Sequence, residues 1–574
     1  MPMPARGETT GRGRPFAAIA PALCVFAACV LPFLGAFGAD FVNWDDDLNL
    51  LRNDRFRGFD GDRIAWMFTS AHMGHWHPLT WLSFAVDHAL FGLAPWGYHA
   101  HNLVLHGLTA VVYWALLLEL LRQVFDDAAA ARLRWLAAAC ALLFAVHPLR
   151  VESVAWVTER RDVLSGLFWV ATLLFYLRAH RPNAAAKRRD LALAHGMLAL
   201  SLGAKAWAIT LPPVLLLLDV WPLRRRARGD GWARLLVEKL GFVALAVGAA
   251  VIAAAAQGES GARMSFADHS LVARCFQACY GLCFYVVKTV APIDLSPLYP
   301  LEKALDWTEP RFVGSAAAVV AVAAVMLWRR SAPALVVLAS YAAIAAPVLG
   351  FLQSGPQLVA DRYTYLACLP FPVVALLWLA KGRRPGRAAL GVAAIAAVLA
   401  ASTALQTAVW RDSLRLWEHT LALHPESFNA HLNYGRALIA VGRRTEAIAE
   451  LRRTVEIEPR EWKAWYMLGN EETRARHFEA ALAAHERCLA LAPDYRDNLY
   501  GMALATMELR RFEDCLSWCR RVQALEPAWP HSWPLCGDAL QQLGRTADAR
   551  AAFEQALRLD PSNRYVRDRL AGMR

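Results

Sequence analysis

The sequence predicts an all-α protein in two parts: a polytopic domain of transmembrane helices, then a solenoid of helix pairs. Three observations carry that prediction. Long apolar runs recur through the first 410 residues, and about 20 apolar residues suffice for a helix to cross a bilayer. Five prolines, Pro425, Pro459, Pro493, Pro527 and Pro561, follow one another at intervals of 34 residues, a period of stacked helix pairs. The charge divides at the same place. From Arg411 onward there are 24 Lys+Arg and 23 Asp+Glu, leaving 37 and 26, an excess of +11, for the rest. Overall the chain is 57% hydrophobic and 19% charged, below the roughly 25% charge of soluble proteins.

Residues 1–15 read as a cytoplasmic tail and 16–410 as the multi-span domain, with apolar segments near 16–38, 98–121, 134–149, 163–178, 191–204, 208–220, 238–256, 312–328, 332–350, 363–380 and 387–406. Basic clusters follow alternate segments: Arg6/Arg12/Arg14, Arg122/Arg132/Arg134, Arg178/Arg181/Lys187/Arg188/Arg189, Arg224/Arg225/Arg226/Arg228, Arg329/Arg330 and Lys381/Arg383/Arg384/Arg387. Cytoplasmic loops collect such residues, so all are placed inside. That gives about eleven spans and leaves the C-terminal solenoid outside the cytoplasm. It also accounts for the positive excess without a nucleic-acid partner. Residues 273–291 are apolar and aromatic, but a crossing there would throw Arg329/Arg330 outside. The stretch therefore reads as a re-entrant or surface-lying helix. The first span is longer than the apolar core of a signal peptide, although Ala36-Phe37-Gly38 is loosely cleavage-like.

The outward loops concentrate acids and bases. The first opens with Phe41-Val42-Asn43-Trp44-Asp45-Asp46-Asp47 and continues to His75-Trp76-His77-Pro78-Leu79-Thr80-Trp81. The second reads His147-Pro148-Leu149-Arg150-Val151-Glu152-Ser153-Val154-Ala155-Trp156, then Arg160-Arg161-Asp162. The third is minimal and holds Lys205, and a later one carries Asp361-Arg362-Tyr363-Thr364-Tyr365. Eleven cysteines show neither metal spacing nor a disulfide framework. Cys275, Cys279 and Cys283 form a helical stripe of small packing residues, and Cys488, Cys515, Cys519 and Cys536 fall at solenoid core positions. His99, Asn102 and His106 share one face of the second span, where interhelical hydrogen bonding is the ordinary role.

Thirty-four residues is the length of a tetratricopeptide (TPR) unit, which ends in such a proline. Trp465 and Trp533 occupy its first aromatic slot. Tyr434-Gly435, Leu468-Gly469 and Cys536-Gly537 occupy the large–small pair, and Ala447, Ala481 and Ala549 the small slot of the second helix. The third unit is worn, with Met502-Ala503 and Cys515 in those places. Residues 428–561 thus resemble four TPR units, preceded by a half-unit at 411–427 and closed by a capping helix at 562–574.

Taken together, VNWDD, HWHPLTW, HPLRVESVAW with RRD, and DRYTYL, followed by TPR units, resemble the multi-span TPR-containing glycosyltransferases of the GT-C superfamily. That group includes bacterial members and the transmembrane and TPR repeat-containing O-mannosyltransferases. The resemblance implies a GT-C-like membrane domain followed by a TPR α-solenoid. It implies a hexosyltransferase taking sugar from a polyprenyl-phosphate carrier on the extracytoplasmic side, and an acidic residue of the first outward loop, here Asp45-Asp46, at the centre of catalysis. Trp44 departs from the pattern, where Tyr is frequent, as does Ala206-Trp207 after Lys205; neither removes a charge.

The chemistry agrees with that placement. An acceptor hydroxyl needs a carboxylate to take its proton, and neighbouring residues of an extended loop face opposite ways. Asp45 and Asp46 therefore divide the work, one toward the acceptor and one toward structure or a cation. The leaving phosphate needs fixed positive partners: Arg160, Arg161, Lys205 and Arg362 are the outward candidates. His77, His147, Glu152 and Asp162 complete the expected donor pocket, with His147 and Glu152 alternatively capping a helix end. No ligand spacing marks a metal site, and a divalent cation stays open. The expected partners are a polyprenyl-phosphate sugar, membrane lipid, and an acceptor protein or peptide brought by the TPR units. The Ala- and Arg-rich composition suggests a bacterium, hence an inner membrane with a periplasmic solenoid. Two rival readings are an O-antigen-ligase-like enzyme and a membrane-anchored TPR scaffold. The first is disfavoured because the longest outward loop is the first and acidic, the second because a scaffold needs no charges at headgroup depth.

Overall fold

A computed structural model of the chain describes residues 15–125, 130–181, 185–259, 270–302, 305–351, 355–381 and 385–573. The tail and Arg6, Arg12, Arg14, Arg383 and Arg384 of the topology argument lie outside the described residues. Among the described residues the fold is all-α apart from one antiparallel ribbon, in which Tyr299–Pro300 pairs with Gln357–Val359. The chain divides into two compact units, Met1–His419 and Thr420–Arg574. The sequence puts the change of character at 410. The division into compact units falls within the helix Ser413–Leu423, and Trp410 and Trp417, which precede the division, are buried.

The first unit is a multi-pass membrane architecture. Among the described residues seven of its helices are long and apolar enough to cross a bilayer: Ile19–Gly38, Pro95–Val124, Val157–Ala179, Trp232–Gly258, Leu271–Val290, Pro310–Arg329 and Ala389–Val409. Two bent pairs, Leu133–Ala145 with Pro148–Ala155 and Asp361–Ala367 with Pro370–Lys381, raise the number to as many as nine. Ala206–Val220 and Ala332–Val348 are shorter apolar helices. The predicted 191–204 span lies in Lys187–Ala204, whose first turn carries the basic cluster Lys187-Arg188-Arg189. Polar groups inside the bundle find partners across helices, as hydrocarbon surroundings require. Tyr113 donates to the Leu369 carbonyl at 2.6 Å, and His106 lies 2.9 Å from both Tyr365 Oη and the Ala145 carbonyl. Gly166 lets the Tyr365 ring approach so closely that a Cβ there would sit 2.5 Å from it.

The second unit is a run of helix pairs: Phe428–Ala440 with Arg444–Ile457, Trp462–Arg474 with Phe478–Leu491, Arg496–Glu508 with Phe512–Leu525, and Ser532–Gln542 with Thr546–Leu559. Arg564–Ala571 closes it. Ser427 caps the first of these helices, accepting from Ala430 N. Each repeated proline from Pro459 to Pro561 stands two residues past the end of a second helix, since proline cannot continue a helix interior. Small residues sit where large ones must enter. A Cβ on Gly537 would meet the Phe553 ring at 2.6 Å, while Gly469 and Gly501 both face the His485 ring. The worn third unit forms the same pair as its neighbours, and Cys488, Cys515, Cys519 and Cys536 are buried.

Candidate active site

A cavity of about 410 Å³ lies in the first unit where several helix ends meet. Asp45, His75, Glu159, Arg161, Lys205 and Arg362 supply its charged and ionisable lining. Trp44, Trp156 and Tyr363 add aromatic surface, and Gln257, Val348, Gly350 and Gln357 are among its uncharged residues. Widely separated stretches of sequence thus converge on one space.

The two adjacent aspartates part company. Asp46 is 1% exposed and accepts hydrogen bonds from Val42 N at 3.0 Å, Thr158 N at 2.9 Å and Thr158 Oγ1 at 2.6 Å. It ties the first loop to the segment before Arg160 and does not line the cavity. Burial pushes its carboxyl up to about 7, against those hydrogen bonds. Asp45 lines the cavity and holds a left-handed backbone, φ 78°, a conformation Asp tolerates better than most residues. Its carboxylate has no hydrogen bond or ion pair among the described residues. Burial raises it above the ordinary carboxylate range, with Arg161 and Arg362 pulling the other way.

Glu159 gathers the cations. Arg161 donates to it at 2.6 Å and Lys205 at 2.9 Å, and Arg362 Nε stands 3.6 Å away. Lys205 also donates to Asp162 at 2.6 Å. Arg362 is held from behind by Glu152, which takes its backbone N–H at 2.7 Å and also its guanidinium. The same guanidinium lies 5.5 Å from the centre of the Trp156 ring and 4.9 Å from that of Tyr363. Three cations therefore share the wall with two carboxylates, one of them already engaged. His75 adds no charge at neutral pH, because burial and then Arg161 hold its imidazole well below its usual value.

Not every expected donor-pocket residue reaches the cavity. Arg160 turns away into a fully buried site, donating to Asp87 at 2.6 Å, the Tyr98 carbonyl at 2.9 Å and Asn102. One residue before Arg161, it is turned about 100° around the helix from it. The placement of Arg160 among phosphate contacts is thereby corrected. His77 packs on Trp81 at a ring distance of 4.7 Å, with burial pushing its imidazole down to about 3. His147 accepts from Leu149 N and donates to the Thr289 carbonyl at 3.0 Å, so it caps and braces. Glu152 and Asp162 form the row behind Arg362 and Lys205. Among the described residues no group of three His, Cys, Asp or Glu side chains could hold a metal ion.

The helix Leu271–Val290 backs one wall. At its start Arg274 donates to the Phe351 carbonyl at 2.9 Å, next to the cavity residue Gly350. At its end Thr289 is held by His147, on the loop leading to Trp156. A 20-residue helix is about 30 Å long, yet both its ends meet loops of the cavity end of the bundle.

The chain is 34% identical over 212 residues, 34% of its length and 21% of the relative's, to the Drosophila melanogaster protein O-mannosyl-transferase Tmtc2. It is similar to protein O-mannosyl-transferases. Another such relative, F38B6.6 of Caenorhabditis elegans, is 27% identical over 169 residues, 28% of this chain and 23% of that one. These matches span about a fifth of each relative's own length. The tetratricopeptide repeat family model matches residues 535–563. A crystal structure of MamA protein aligns with 26% of this chain and 81% of its own at 21% identity and a TM-score of 0.25.

Two residues of the site escaped the sequence reading. Glu159, the hub of three cations, stands directly before Arg160-Arg161, where an acid beside two arginines is a visible signal. Thr158 gives none, since one hydroxyl among many becomes informative only when the fold brings it to Asp46, 112 residues away.

Proposed function

We propose that the protein is a membrane glycosyltransferase that moves a sugar from a polyprenyl-phosphate carrier to a hydroxyl of an acceptor protein. The observation that carries this reading is the uncommitted carboxylate of Asp45 in a cavity walled by Arg161, Lys205 and Arg362. The relatives' names, protein O-mannosyl-transferase, support the same class, with a hexose as the sugar. In this mechanism the acceptor oxygen attacks the anomeric carbon while Asp45 takes its proton. The bond from that carbon to the phosphate oxygen breaks, and the three cations receive the polyprenyl phosphate. Asp45 is the one cavity carboxylate that no cation holds. A double displacement needs a second free carboxylate as nucleophile, so the reaction runs as a single displacement and inverts the anomeric centre.

The loop charges support a site on the extracytoplasmic side and a periplasmic solenoid in a bacterial inner membrane. The helix-pair stack supports recruitment of the acceptor or of a partner. The test is a panel of polyprenyl-phosphate sugars offered to the purified full-length protein with hydroxyl-bearing acceptor peptides, the product's anomeric configuration being read by NMR. Transfer from one of them with inversion is expected. Transfer with retention, or from a nucleotide sugar alone, would overturn the mechanism. An alkaline phosphatase fused after Arg574 should be active, and activity of a cytoplasmic fluorescent reporter there would reverse the sidedness.

A further inference from the structure

We propose that the segment Trp410–Trp417, which the sequence assigns to the entry of the solenoid, positions the catalytic loop, with Ser413 and Trp417 as positioning residues for Asp45. The inference rests on Asp45 being the base. Three loop residues, Asp40, Asn43 and Trp44, are gripped from this segment. Ser413 Oγ accepts from Asn43 N at 2.9 Å, and Trp417 Nε1 donates to Asn43 Oδ1 at 2.6 Å. Trp44 meets the Trp417 ring edge-on at 5.1 Å. Arg411 adds its carbonyl, which accepts from Asp40 N at 2.9 Å. On the other face Trp156 is sandwiched, stacking on Trp44 at 6.2 Å and on Trp410 at 5.7 Å.

These partners are some 370 residues apart in sequence, so no local preference brings them together. Trp417 is wholly buried, and its indole N–H needs a partner there. That partner is the Asn43 side chain, whose own backbone N–H is already held by Ser413. Asn43 is thus fixed on two sides, two residues before a left-handed Asp45 that the surroundings must impose. From the other side Thr158 holds Asp46. The Asp45 carboxylate hangs between these two grips with no bond of its own. Its aim at the acceptor depends on them, and a misplacement of about 1 Å can cost a hundredfold in rate.

The experiment is steady-state kinetics of the full-length protein in membranes for Ser413→Ala, Ser413→Thr, Trp417→Phe and Asp45→Asn. Ser413→Ala and Trp417→Phe should lower kcat by about tenfold or more, with the donor KM held within about twofold. Ser413→Thr keeps the hydroxyl and should retain kcat. Where Trp417→Phe fails to fold, the serine pair carries the test alone. In the Asp45→Asn background, Ser413→Ala should add no further loss, as expected when one residue acts through another. Wild-type kcat in both Ser413→Ala and Trp417→Phe, a change confined to KM, or full additivity with Asp45→Asn would overturn the positioning role while leaving the base in place. Wild-type activity in Asp45→Asn would overturn the base and the positioning role together.

Discussion

Both ends of the helix Val157–Ala179 carry buried charge, and the two ends differ in one respect. At the Tyr176 end, Asp219 accepts from Tyr176 Oη at 2.6 Å and Lys239 Nζ at 2.7 Å. Arg225 answers Glu238 at 2.7 Å and Asp230 at 2.8 Å. Every carboxylate there has its cation. At the Arg161 end, Glu152, Glu159 and Asp162 are answered in the same way, and Asp46 and Asp361 are held by neutral donors; Asp45 has neither kind of partner among the described residues, and a cavity of about 410 Å³ lies against it. Buried ion pairs are common structural devices. A perturbed carboxylate that is uncommitted and borders open space is the rarer thing, and that conjunction marks a candidate site.

The largest expected effect breaks the comparison at its centre. Asp45→Asn keeps shape and removes the proton acceptor, so transfer should fall by about a thousandfold, measured in membranes at matched expression. The pH profile sharpens the point. The base must be ionised, and burial raises the Asp45 carboxyl above its ordinary range. Activity should therefore fall as pH is lowered through a pKa above the usual carboxylate value of about 4. An acid limb at or below that value would describe a solvated Asp45 that is not the base.

The next effect concerns the cations. Lys205 is engaged by Glu159 and Asp162, as Lys239 is by Asp219 and Glu238. If the two ends differ in function, Lys205→Met weakens donor binding by about 2–4 kcal/mol, the scale of one charge-assisted partner at a shielded site. Titration of a polyprenyl-phosphate sugar into the variant measures it. Unchanged affinity would make Lys205 as purely internal as Lys239.

How much of this was legible in the sequence follows from distance along the chain. The solenoid was plain, because its signal is a period set by units each about 34 residues long. The acids and bases of the loops were plain as residues, since charge beside a span stands out against apolar neighbours. Their directions were not. Arg160 and Arg161 are adjacent, yet one is buried against Asp87 and the other lines the cavity, and a one-residue step of about 100° around a helix decides that. The clamp of Trp417 on Asn43 joins residues 374 apart, which only the tertiary fold brings together.

The smallest expected effect on activity tests the closed end. Lys239→Met removes one of the cations from Asp219, leaving Tyr176 Oη at 2.6 Å and Arg225 at 3.4 Å. Withdrawing one partner from a buried charge pair costs about 3–5 kcal/mol, so thermal unfolding in nanodiscs should begin several degrees lower. Arg161 and Tyr176 are separated by 15 helical residues, about 22 Å at 1.5 Å per residue. At that separation substitutions act independently to within about 0.5 kcal/mol, and transfer per folded molecule should stay within about twofold of the unsubstituted protein. The measurement is a melting curve beside initial rates normalised to folded protein. A variant that melts normally but transfers poorly would break the comparison from its closed side: the Asp219 network would then take part in the reaction, and complete pairing of buried charges would no longer separate structure from site in this protein.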